Sequence, residues 1–186
     1  MANISMSDVQ LLCHPESDAG GVTGVDVSIT RVLRGKIQVD YRVSGAVSEL
    51  EVPAQAQPHR VEGLWKNTCF EIFIKQSDKE IYLEYNFSPS SQWAVYQFSS
   101  YRRDMAEVAT AAPEIIVEWQ EFDLVISASL YLPDGWQESD VKVGLSAVLA
   151  TQNGNRSYWA LVHPEGDPDF HHKDCFALEL KAPSAA

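Results

Sequence analysis

Residues 69–75 read CFEIFIK and residues 80–86 read EIYLEYN. Between them stands Gln76-Ser77-Asp78-Lys79, a run of turn-forming residues. Each flanking run alternates in the period of a strand with one face buried. Closing a hairpin on the tetrapeptide opposes Ile74 with Ile81, Ile72 with Leu83 and Phe70 with Tyr85. All three pairs are apolar, and a one-residue slip would mix the faces. The other face then pairs Cys69 with Asn86, Phe73 with Tyr82 and Glu71 with Glu84. Opposed side chains have Cβ atoms ~5 Å apart, so two carboxylates there repel. A cation, an arginine or one shared proton would offset the repulsion. Arg102 and Arg103 are the nearest basic residues in sequence. A strand folding back after Ser88-Pro89-Ser90-Ser91 would bring Gln97 beside Glu84.

The same period of two runs outward along the chain. Val25, Val27 and Ile29 alternate with polar residues, as do Ile37, Val39, Tyr41 and Val43. Residues 122–132 and 141–149 form two more such faces. Further strands are expected at 8–14, 92–98, 115–120, 156–162 and 174–181. About ten antiparallel strands without a strong helical pattern predict an all-β protein, a single jelly-roll or immunoglobulin-like β-sandwich. One domain spans 1–186, with its core over about 8–181. The best helical candidate is a short turn near 101–109. Residues 44–68 and 163–173 form long connections, a class often used for function.

Among the 186 residues, Asp plus Glu number 26 against 14 Lys plus Arg, a net charge of −12. That sign repels phosphate backbones and anionic lipids, so neither nucleic acid nor membrane is an expected partner. Cys13, Cys69 and Cys175 are odd in number and show no C-x-x-C spacing. The opening MANISMSDVQLLCHPES has no features of a secretory signal. A cytoplasmic setting is expected.

Glu71, Glu84 and Asn86 form a polar platform on an otherwise aromatic face, suited to sugar hydroxyls or a metal. Trp65, Trp93 and Trp159 stand at loop ends, where indole faces stack on sugar rings or a porphyrin. His163, Asp169, His171 and His172 crowd into ten residues and are candidate metal ligands. A close carboxylate pair also fits a retaining glycosidase. Side chains on adjacent strands point the same way, however, and leave little room for a ring between them. No nucleotide-binding, nucleophile-elbow or c-type haem motif occurs.

The runs Leu64–Ile74, Tyr82–Ser90 and Trp93–Tyr96 resemble the DOMON-like superfamily, in particular bacterial domains related to family-9 carbohydrate-binding modules. Tyr158–Leu161, His163-Pro164, Pro168–His171 and Phe176–Leu180 are similar to the C-terminal part of that group. The resemblance implies a non-catalytic β-sandwich that binds a sugar or a haem. In the sugar-binding branch Trp65, Glu71, Asn86 and Trp159 match the ring clamp and hydroxyl readers, and calcium is often structural. In the haem branch Met105 with His163 or His171 would ligate iron. The expected function is therefore binding of a carbohydrate or sugar-like small molecule by Trp65, Glu71, Glu84, Asn86, Trp93, Trp159 and Arg102. The alternatives are a b-type haem module and a protein-interaction domain.

Overall fold

The structure is a computed structural model that describes residues 5–32 and 35–183. Twelve strands are present among them: β1 (Ser5–Cys13), β2 (Val22–Arg31), β3 (Lys36–Gly45), β4 (Cys69–Gln76), β5 (Tyr82–Phe87), β6 (Trp93–Phe98), β7 (Ala106–Glu107), β8 (Glu114–Trp119), β9 (Asp123–Tyr131), β10 (Val141–Ala150), β11 (Arg156–Ala160) and β12 (Leu178–Leu180). They pair antiparallel throughout. One sheet runs β1-β2-β3-β9-β8 and the other β7-β6-β5-β4-β10-β11, with β12 also beside β10. Strand β1 joins them, pairing β2 through Ser5–Leu11 and β11 through Leu12 and Cys13. The all-β sandwich expected from the alternation is the observed architecture.

The period of two decides what fills the space between the sheets. Val25, Val27, Ile29, Ile37, Val39 and Tyr41 face inward from the first sheet. Phe70, Ile72, Ile74, Leu83, Tyr85, Val143 and Leu145 meet them from the second. Arg31 continues the inward parity of β2 and is fully buried there. Its guanidinium donates to the carbonyls of Trp136, Gln137, Ser139 and Leu180.

The second sheet is covered on its outer face as well. Cys69, Phe73, Tyr82, Ala94, Tyr96, Phe98, Val148 and Ala160 pack beneath Leu64, Phe170 and Phe176. The covering residues come from the connection 44–68 and from the chain between β11 and β12. Every residue from Cys69 to Ile74 and from Tyr82 to Phe87 is consequently buried, where a half-buried strand would alternate. This double cover places Glu71 and Glu84 in the interior.

Three expectations need correction. The hairpin closes two residues later than the tetrapeptide suggests: Ile74 opposes Leu83, Phe73 opposes Glu84, and Glu71 opposes Asn86. Strand β4 is held to Gln76 by pairing with Val141 of β10, and Ser77 then donates to the Asp140 carbonyl. The turn therefore forms beyond Gln76. Glu84 lies opposite Tyr96, and Gln97 lies opposite Leu83 on the other face. Finally, 101–109 holds no helix. Arg102 and Asp104 both adopt a φ of 53°, which a right-handed helix cannot contain.

Candidate functional site

A cavity of about 480 Å³ opens on the outer face of the second sheet. That is within the usual size for a small-molecule site, roughly 300–1,000 Å³. Glu71 of β4 and Glu84 of β5 line it. With Glu71 opposite Asn86, the two carboxylates are diagonal neighbours on one face, a spacing that relaxes direct opposition but keeps them within mutual reach. They are only 3% and 5% exposed.

Each carboxyl is fixed by a neighbour. Ser146 of β10 donates to Glu71 Oε2 at 3.0 Å. Asn86 donates to Glu84 Oε1 at 2.7 Å. From across the core, the Tyr41 hydroxyl donates to the Glu71 backbone carbonyl at 2.6 Å and so pins β4 at this point. Burial, then the charge of Glu84, pushes the Glu71 carboxyl up to about 8, against opposing effects from Ser146 and Arg102. Burial likewise pushes Glu84 up to about 7, against Asn86 and Arg102. Near neutral pH the pair holds a proton, the third of the offsets expected for close carboxylates.

One wall is built where the β6–β7 connection meets the segment 163–173. Arg102 donates from Nε and Nη2 to Asp169 Oδ1 at 3.3 and 2.7 Å. The Tyr101 hydroxyl donates to Asp169 Oδ2 at 2.7 Å. Tyr82 accepts the Arg102 backbone N–H, which supports the left-handed backbone there. Burial raises the Asp169 carboxyl, but Tyr101 and Arg102 outweigh it and the net displacement is downward. His171 shares a hydrogen bond with the Tyr82 hydroxyl through Nδ1. Burial, then the nearby Arg102 charge, lowers this imidazole to about 4. It is neutral at pH 7, so its 3.7 Å approach to Glu84 is not an ion pair there.

Of the residues nominated from the sequence, Trp65, Glu71, Glu84 and Arg102 line this cavity. Asn86 lies fully buried and holds Glu84. Trp93 and Trp159 are not at the cavity. Both pack in the core between the sheets, Trp93 under the Arg60 guanidinium and Trp159 donating to Ser157. Their strand neighbours share the carboxylate face instead, and Tyr158 lines the cavity where Trp159 was expected. Parity relative to Glu71 carries that signal.

The four metal candidates are dispersed. His163 Nε2 contacts the Leu12 carbonyl and its ring meets His14. Asp169 engages Arg102, His171 engages Tyr82, and His172 accepts from the Asp174 N–H. Among the described residues, no group of three or more His, Cys, Asp or Glu gathers as a metal site. Met105 and His171 line the cavity, whereas His163 lies toward β1.

Arg102 is the cation that acts on both carboxyls. Arg102→Met is expected to move both titrations further up, read by carbon NMR of the side-chain carboxyls. The ion pair with Asp169 is half-exposed on the arginine side, so stability should change by no more than about 1 kcal/mol.

No family model and no curated protein matches the sequence. Similarity appears in the fold. A proposed carbohydrate-binding protein from Bacteroides uniformis superposes with a TM-score of 0.64 at 13% identity, over 92% of this chain and 83% of its own. A family-9 carbohydrate-binding module from Caldicellulosiruptor kristjanssonii, solved with glucose, gives 0.52 at 10% identity, over 95% and 86%. At these identities the likeness is one of architecture.

Proposed function

We propose that this protein binds a carbohydrate or sugar-like small molecule in the outer-face cavity. One observation carries the reading: two buried carboxyls form the floor of a ring-sized cavity whose walls are aromatic. Carboxyl oxygens accept from ring hydroxyls, and Trp65, Tyr158 and Phe170 offer faces for the apolar side of a sugar ring. The two fold relatives named as carbohydrate-binding support the choice of ligand class. So do the runs that resemble the DOMON-like superfamily, since they contain Trp65, Glu71 and Glu84. Nothing in the reading requires bond-making.

Titration calorimetry against mono- and disaccharides tests it. Silence across the panel sinks it. Trp65 is half-buried and meets Tyr96 edge-on at 6.0 Å. Trp65→Ala should weaken binding about tenfold or more, about 1.4 kcal/mol. Its unfolding free energy should fall by less, within about 1 kcal/mol. An unchanged affinity would place the ligand elsewhere.

A further inference from the structure

We infer that the cavity selects a sugar bearing a protonated amine, with the ammonium seated between Glu71 and Glu84. The inference rests on the sugar-binding reading and narrows its ligand class.

The carboxyls are only half satisfied by the protein. Ser146 occupies Glu71 Oε2, and Asn86 occupies Glu84 Oε1. Glu71 Oε1 has no hydrogen-bond partner among the described residues, although the side chain is almost wholly buried and lines the cavity. Glu84 Oε2 has only the 3.7 Å approach of His171, longer than a hydrogen bond. One oxygen of each carboxyl is thus left without a protein hydrogen bond, and both side chains line the same cavity.

Charge is the second observation. Among the described residues, no Lys or Arg nitrogen makes a salt bridge to either glutamate. Arg102 is near enough to lower both, but its guanidinium is spent on Asp169. Lys66 and Arg156 also line the cavity, yet both are exposed, where water and salt screen them. The pair therefore shares a proton near neutral pH and keeps residual negative charge that no buried cation meets. A buried charge of that kind calls for a partner.

A sugar hydroxyl would supply a hydrogen bond and no charge. An ammonium supplies both, with donors enough to reach the two free oxygens. The walls suit a cation as well, because aromatic faces attract positive charge. Trp65, Phe98, Tyr158 and Phe170 provide that surround. The upward displacement of both carboxyls agrees with a pair lacking its counter-ion.

Calorimetric titration of the intact protein near pH 7 with glucosamine, glucose and N-acetylglucosamine decides the matter. The three share a ring and differ in whether the second position carries an ammonium, a hydroxyl or a neutral amide. Glucosamine should bind at least about tenfold more tightly than either neutral sugar. Glu71→Gln and Glu84→Gln should each erase that preference, read as the ratio of glucosamine to glucose affinity within the same variant. Equal or tighter binding of glucose overturns the ammonium assignment and leaves the sugar-binding reading standing. Absence of binding by all three overturns both. The wild-type comparison decides between these outcomes even where a variant fails to fold.

Discussion

Arg31→Met is expected to lower the free energy of unfolding by about 3–5 kcal/mol. The side chain is fully buried at the inward end of β2. It donates to four carbonyls, those of Trp136, Gln137, Ser139 and Leu180, at 2.8–3.2 Å. Those acceptors belong to the connection before β10 and to β12, so one guanidinium ties three remote segments together. Methionine fills much of the volume and supplies no donor. The bonds to Trp136 and Leu180 are buried, and water cannot easily replace them. Hydrogen bonds to a charged group are worth about 1.5–3 kcal/mol each, so those two contribute about 3–6 kcal/mol, reduced somewhat by the apolar burial that methionine keeps. The other two are partly buried, and hydration recovers much of their loss. Arg42→Met is the control. Arg42 lies on the exposed face of the same sheet and pairs with Asp123 at 3.3 Å with half its side chain in water. That change should cost about 1 kcal/mol or less. Urea unfolding of the two variants at one pH separates them, and a difference smaller than about 1 kcal/mol would remove the assigned role of Arg31.

Arg31 also shows what alternation can and cannot convey. Val25, Val27 and Ile29 face inward, so their parity already points Arg31 into the core. Its acceptors lie more than 100 residues away in sequence, and no local pattern indicates them. The β4–β5 hairpin makes the same distinction. A slip of one residue exchanges the two faces, whereas a slip of two keeps every side chain on its face. The expected and observed registers differ by two. Alternation could therefore place Glu71, Glu84 and Asn86 together without deciding which residues are opposed. The second neighbour of β4 decided it, because pairing with β10 carries the strand to Gln76. Trp93 and Trp159 lie away from the cavity for the converse reason. Their loop-end position suggests a binding edge, whereas parity sends both inward. The cavity wall was the least legible part. Arg102 meets Asp169 across 67 residues, through a backbone turn that the sequence suggested as helical.

Between about pH 6.5 and 8 the folded protein is expected to lose stability as pH rises, and Glu71→Gln should remove most of that loss. In the unfolded chain a glutamate ionises near its ordinary value of about 4.3. In the native state Glu71 and Glu84 keep their protons to about 8 and about 7. Between those limits the native state binds more protons, so raising the pH favours unfolding. Their contribution is fully present below the unfolded value and disappears through the folded ones. Each unit of displacement is worth about 1.4 kcal/mol. By pH 8 the penalty of the pair amounts to several kcal/mol, on the order of the displacement of Glu71 alone or more. His171 acts in the opposite sense lower on the scale. Its imidazole is depressed to about 4, so it costs stability as pH falls below the ordinary histidine value of about 6.5. Above that value the imidazole is neutral in both states and the carboxyls act alone. Wild type and Glu71→Gln share His171, so their difference isolates the glutamate across the whole range. The two proteins should be nearly equal near pH 4 and diverge in favour of the variant toward pH 8. Thermal and urea unfolding over that range would show the divergence. A wild-type stability that stays level or climbs from 6.5 to 8 would mean that the two carboxyls are already ionised in the folded protein. The floor of the cavity would then carry two full charges held without a proton, which only a cation closer than Arg102 could sustain.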